Sequence, residues 1–168
     1  MCPTRTRDPI REARRQWVAH GWADAADGMA MVTSLVRAQQ LLLERIEAVL
    51  RPSGLTFARF ELLRVLAFSA TGSMPMTRLG SLLQVHATSV TSAVDRLEAQ
   101  GYVARVRPET DRRLVLAAIT ARGREAVEGA TARLNADVFA RPGLAGPDLR
   151  ALTDLLTALR AEHGDPVD

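Results

Sequence analysis

"HATSVTSAVDRLEAQGYVARVRPETDRRLVLAAIT", from His86 to Thr120, is the stretch on which the fold turns. Its first half has a helical period. Val90, Ala93, Val94 and Leu97 share one face of a 3.6-residue wheel, and Gly101 fits the stop. Thr88, Ser92 and Ala99 lie opposite, Ser89 and Arg96 on one flank, Thr91 on the other. The second half reads as two short strands around a turn that carries Arg107, Glu109, Asp111, Arg112 and Arg113. Which strand face is buried is not settled by parity, because Leu114 and Leu116 on one side and Val115 and Ile119 on the other are all apolar.

Upstream, "SMPMTRLGSLLQV" predicts a short helix over about Met76–Gln84, joined through a tight "QVH" turn to the helix of the opening stretch. Thr56 is the expected cap of "FARFELLRVLAFSA", a helix apolar nearly all round and so expected to be buried. A long helix is predicted from about Ala23 to Arg51, ended by Pro52 and Gly54. Before it, "DPIREARRQWVAHGW" predicts a short helix with Asp8 as cap, Pro9 in the first helical position and Gly21 at the stop. Residues 1–7 are expected to be disordered. Downstream, Thr120 caps a helix to about Ala140, "RPGLAGP" breaks it, and a final helix ends near Gly164. The fold class expected is mainly α: a helix-turn-helix with a two-stranded β wing and a helical dimerisation layer drawn from both termini. Expected segments are 1–22 as an extension, 23–55 as the long core helix, 56–120 as the winged region and 121–168 as terminal helices.

The seams behind that layer are Leu35, Leu42 and Val49 in the long helix, and Leu149, Leu152, Leu156 and Leu159 in the last one. An apolar band that wide has two surfaces to cover, one in its own core and one on a second copy of the chain.

Composition narrows the function classes. The 168 residues allow one domain, or one domain with an appendage, and 47% apolar content is enough for a core. No apolar run approaches a membrane span, and the arginine-rich start lacks the apolar stretch of a secretory signal. One cysteine, Cys2, excludes a disulfide framework and fits a reducing compartment, so a soluble cytoplasmic protein is expected. All 22 basic residues are arginine, which with the abundant alanine points to a GC-rich, bacterial genome. The arginine fork also suits phosphates and guanine edges. His20, His86 and His163 form no metal-ligand spacing, and phosphate-loop, nucleophile-elbow and dinucleotide motifs are missing. The expectation is therefore no enzyme, no metal and no cofactor.

The polar face of the central helix is made of small hydroxyl residues, where an ordinary solvated face would carry more Glu, Gln and Arg. Such a face lets a backbone come close to a groove floor, and its hydroxyls can bond base edges or phosphates. A wing beside it can place an arginine in the narrow, negatively charged minor groove. Asp111 is expected to brace Arg113 as the groove reader, with Arg107 and Arg112 on phosphates. The alternatives are a short polar face in a helical core and a solvated turn with weak ion pairs.

With "LTFARFELLRVL", "LGSLLQVHATSVTSAVDRLEAQGYVARV", "DRR" and "AITARG" in one chain, the sequence resembles the MarR family of winged helix-turn-helix regulators, over about Val32 to Leu159. The resemblance implies a homodimer on a pseudo-palindromic double-stranded DNA operator, usually repressing. It also implies a crevice that accepts a small aromatic or carboxylate effector. Thr88, Ser89, Thr91 and Ser92 match base- and phosphate-contacting positions, and Asp111 and Arg113 the wing pair. His86 stands where members often place Ser or Thr as the helix cap, and could itself reach phosphate. No cysteine falls in the long first family helix, which speaks against thiol-based oxidant sensing. The Asp8–Trp22 segment resembles the extra helix of the urate-responsive subgroup. That subgroup has an arginine where this chain has Ala93, and Glu61 only partly matches its acidic position. Two readings of the extension stay open. Arg14, Arg15, Trp17 and His20 line an effector crevice, or Trp17 anchors the helix while the arginines face water. The competing function is a helical dimeric interaction protein whose winged helix no longer binds DNA.

Overall fold

The computed structural model describes residues 8–109, 111 and 113–167. The expected tail with Cys2 and the wing residue Arg112 lie outside the described residues. The chain divides into two compact units, with the boundary between Ala48 and Val49.

The first unit holds α1 (Pro9–Ala19) and most of α2 (Ala23–Leu50). Asp8 caps α1 as expected: its carboxylate accepts the Ile10 N–H at 3.0 Å, and Pro9 opens the helix. Gly21, in the left-handed region, separates α1 from α2. Arg14 bonds Asp27 at 2.6 Å and so ties the two helices together. No residue of α1 is buried.

In the second unit, α2 ends in a 3-10 turn, Arg51–Ser53, and is followed by α3 (Phe57–Phe68), β1 (Ser73–Pro75), α4 (Met76–Leu83) and α5 (Ala87–Ala99). Then come β2 (Val103–Val106), β3 (Leu116–Ile119), α6 (Ala121–Leu134) and α7 (Gly146–Glu162). The core gathers Phe60, Leu62, Leu63 and Leu66 of α3 with Val90, Val94 and Leu97 of α5 and Val127, Ala130 and Leu134 of α6. Three features differ from the sequence expectation. The sheet has three antiparallel strands, in the order β1-β3-β2, rather than two. Ser73-Met74-Pro75 is too short to show alternation, and it becomes a strand only because the outer edge of β3 is free to accept it, with Met74 opposite Ala117. Pro75, which has no N–H, is tolerated at the end of this edge strand. Second, α3 is not buried all round: Phe68 is 76% exposed, with the Arg64 guanidinium over its ring at 5.0 Å. Third, Thr56 holds the cap position of α3 without a side-chain cap bond, its hydroxyl accepting from Arg59 Nε instead. The end of α6 also widens into a π turn, Asn135–Phe139.

The turn of the helix-turn-helix is made by Gln84, at φ 53° and ψ 40°, in the left-handed region that side chains rarely adopt. The Val85 N–H bonds the Gly80 carbonyl at 3.1 Å across it. Gln84→Val is expected to lose about 1–2 kcal/mol relative to Gln84→Gly, because branching at Cβ worsens the clash that makes this region unfavourable. Urea denaturation of the two variants checks this. Equal midpoints would mean that the turn relaxes out of the left-handed region.

Candidate nucleic-acid interface

Helix α5 buries Val90, Val94 and Leu97 and leaves Thr88, Ser89, Thr91, Ser92 and Arg96 exposed. The wheel reading of this helix therefore holds, with Ala93 only half-buried. His86 occupies the cap position and its side chain makes no cap bond. The hydroxyls are not equivalent. Thr91 donates back to the Ala87 carbonyl at 3.0 Å, so its proton is already used. The hydroxyls of Thr88, Ser89 and Ser92 bond no described residue, so both their donor and acceptor capacities face outward.

The wing follows directly. In β2 and β3, Val103 pairs with Ile119 and Arg105 with Ala117. Residues directly opposite share a face. Val103 and Ala117 are buried, so this face is the inner one, which answers the question that parity left open. Arg105 lies on it. Its guanidinium bonds both Asp95 and Glu98 of α5, and its backbone N–H donates to Glu98 at 3.1 Å. The hydrogen bond to Asp95 is the main reason its pKa lies further above the ordinary arginine value. The base of the wing is thus riveted to the helix it flanks. Neither Arg105 nor its acids stood out in the sequence, because a pairing ten residues apart across a turn has no fixed periodic signature.

At the wing tip, the Asp111 carboxylate accepts the backbone N–H of Arg113 at 2.9 Å, and the Asp111 N–H donates to the Pro108 carbonyl. The brace expected of Asp111 acts on the main chain of Arg113, setting where its side chain departs. Arg107 and Arg113 are both exposed. The far side of the wing is fixed by α6. Thr120 caps it, accepting the Gly123 N–H at 3.0 Å while donating to the Gly101 carbonyl at 2.7 Å.

In the first unit the expected effector residues have protein partners. Arg14 pairs with Asp27, whose hydrogen bond raises its pKa further above the ordinary value, and Arg15 pairs with Glu12. The His20 ring bonds the Gln16 carbonyl and stacks on Trp22 at 5.8 Å, while Trp17 meets Trp22 edge-on at 5.4 Å. The apolar seams are open along both terminal regions. Leu35 and Leu42 are exposed on α2, as are Leu149 and Leu152 on α7, whereas Val49, Leu156 and Leu159 are half-buried. Leu155, outside the expected stripe, is at 69% the most exposed leucine of α7. Among the described residues no acidic, histidine or cysteine cluster could hold a metal, and no helix is long and apolar enough to cross a membrane.

A family model described as MarR family matches residues 53–114, from the end of α2 into the wing. The fold is similar to that of Sco5413, a MarR family transcriptional regulator from Streptomyces coelicolor. That match has 43% identity over 83% of this chain and 99% of the other, with a TM-score of 0.74. It is also similar to Sco3205, a MarR family regulator of the same organism solved in complex with DNA, at 26% identity over 82% and 88% of the two chains and a TM-score of 0.68. CouR of Rhodococcus jostii RHA1, a transcriptional repressor solved on a 23-mer DNA duplex, matches at 27% identity over 75% and 89%, with a TM-score of 0.67. No protein among those of curated function matches the chain.

Proposed function

This chain belongs to the MarR family of transcriptional regulators, which are not enzymes, and from that premise we propose that it binds a pseudo-palindromic DNA operator as a homodimer. Helix α5 enters the major groove with Thr88, Ser89 and Ser92 toward the bases, and the wing places Arg113 in the adjacent minor groove. The observation that carries this reading is the arrangement around Arg105. A helix face of unused hydroxyls and an arginine-tipped wing are held together by bonds to Asp95 and Glu98. An interface needs its groove-reading parts preorganised, and this contact supplies that. Repression is the expected outcome of operator binding, in keeping with the description of CouR as a repressor.

Support for the dimer comes from the exposed leucines of α2 and of α7, which a single chain leaves in water. For the amino-terminal cluster, pairing of Arg14 and Arg15 with Asp27 and Glu12 favours a structural clasp over an anion receptor. A small anionic effector that prefers the free protein would release DNA by the same coupling factor with which DNA weakens its own binding.

The test is selection of duplexes from a randomised library by the purified protein, with light scattering on the same preparation. The expected result is a two-fold related site whose half-sites lie about one helical turn apart, ~34 Å, bound by a dimer. A folded monomer at micromolar concentration, or failure to enrich any duplex, would count against the reading. Ser89→Ala should then narrow the difference in affinity between the selected site and random DNA.

A further inference from the structure

Between the first turn of α3 and the outward face of α5 lies an open concavity of about 630 Å³. Its lining carries Arg59 and Arg96, the hydroxyls of Thr56, Thr88, Ser89 and Ser92, and no carboxylate. We propose that this concavity seats a phosphate of the DNA backbone, with Arg59 as its principal cation. The assignment rests on the DNA-binding reading above and adds to it a contact outside the recognition helix and the wing.

Some arginines of this chain are neutralised by its own carboxylates and others are not. Arg14, Arg15, Arg64, Arg105 and Arg160 each pair with a carboxylate of the chain itself. Arg59 and Arg96 make no ion pair with any described residue. Arg59 is nevertheless held in place. Its Nε donates to Thr56 Oγ1 at 3.1 Å and one Nη donates to Gln100 Oε1 at 3.4 Å, both neutral acceptors. Gln100 is fixed in turn, its Nε2 donating to the Gly54 carbonyl at 2.9 Å. The other Nη of Arg59 makes no hydrogen bond to a described residue. The result is a half-buried cation with its rotamer already set, its charge uncompensated and a donor to spare. Ordering a free arginine side chain opposes binding, and here that ordering has occurred in advance.

The surroundings fit a phosphate. Its oxygens only accept, and the lining offers two guanidinium groups and the Thr56 hydroxyl beside them. Thr56 opens α3 without a side-chain cap bond, so the first N–H groups of that helix are not taken up by their own cap. The concavity is open, whereas pockets for small ligands bury most of the ligand surface. It also shares Thr88, Ser89 and Ser92 with the face that reads the major groove. An anion seated here lies flush with the bound duplex, where the phosphates bordering the groove run.

The experiment measures binding of a fluorescent duplex, selected as described above, to wild type, Arg59→Gln, Gln100→Ala and Arg113→Ala across a range of salt. Arg59→Gln is expected to lose about tenfold in affinity at low salt. It should flatten the salt dependence by ~0.9 per lost contact, close to two for a dimer. Its preference for the selected duplex over random DNA should not change, because a phosphate carries no base identity. Gln100→Ala keeps the charge and frees the guanidinium, and about a threefold loss is expected. Wild-type affinity and slope in Arg59→Gln, with Arg113→Ala weakened, would overturn the seat and leave the DNA-binding reading intact. A wild-type protein that enriches no duplex and binds none at low salt removes both. Inorganic phosphate that stabilises wild type but not Arg59→Gln to heat, with the DNA salt slope unchanged, would make this a free-anion site and overturn the proposal. Should Arg59→Gln fail to fold, Gln100→Ala decides, and unaltered affinity there overturns it.

Discussion

Gly123→Ala is expected to destabilise the second unit by about 3–5 kcal/mol, the upper end of what a single substitution does. Helix propensity alone gives the opposite sign, since alanine is favoured over glycine in a helix by roughly 0.5–1 kcal/mol. The packing term is larger. A Cβ on Gly123 would lie 2.1 Å from the Tyr102 carbonyl oxygen and 2.9 Å from the Ile119 side chain. The oxygen belongs to the backbone, at the point where it also accepts the Thr120 N–H at 3.0 Å, so it cannot swing aside. Relief requires α6 to retreat from the base of the wing, breaking the Thr120 cap and its bond to Gly101. Gly129→Ala is the control on the same helix. Its Cβ would meet only the end of the Arg133 side chain, at 3.6 Å, so a gain of about 0.5–1 kcal/mol is expected. Urea denaturation followed by circular dichroism separates the two. If both alanine variants shift in the same direction, the close approach of α6 to Tyr102 is not a constraint on the fold.

Arg113→Ala is expected to weaken operator binding by about 1–3 kcal/mol per wing, and a dimer presents two. The combined loss of roughly 2–6 kcal/mol spans a fall from tens-fold to more than a thousandfold in affinity. The size follows from how Arg113 is displayed. Its own N–H is held by Asp111 at 2.9 Å, and a further bond, from the Leu114 N–H to the Asp111 carbonyl, closes the turn. The side chain therefore leaves a fixed backbone, and truncation removes a positioned cation. Arg122→Ala is the comparison. That guanidinium lies over the Tyr102 ring at 5.5 Å, outside the wing, and its loss should leave operator affinity nearly unchanged. Asp111→Ala should fall between the two, because it loosens the turn and leaves the charge. Titration of a labelled operator at fixed salt gives all three values. Equal affinities for Arg113→Ala and Arg122→Ala would remove the wing from the interface.

Much of this protein is legible in its sequence. The inner face of α5, the Asp8 and Thr120 caps, the stop at Gly101 and the hairpin after it are all written within a few residues of themselves. Helical period, capping side chains and turn residues act over one or two turns of chain, so a linear reading recovers them. The same reading reached the exposed hydroxyl face, which follows from local geometry, whereas the Asp111 carboxylate, expected to hold the Arg113 side chain, bonds the Arg113 main chain instead. That reading could not supply β1, since Ser73-Met74-Pro75 has no strand character until the edge of β3 lies beside it. Nor could it find that Arg105 joins the wing to Asp95 and Glu98, that Arg59 is held by Gln100 forty-one residues away, or that Gly123 faces the Tyr102 carbonyl. It overstated the burial of α3, where Phe68 turns outward under Arg64. Each of these depends on which elements pack together. A charge or a missing Cβ acquires its meaning from the atom that the fold brings against it, and spacing along the chain does not encode that neighbour.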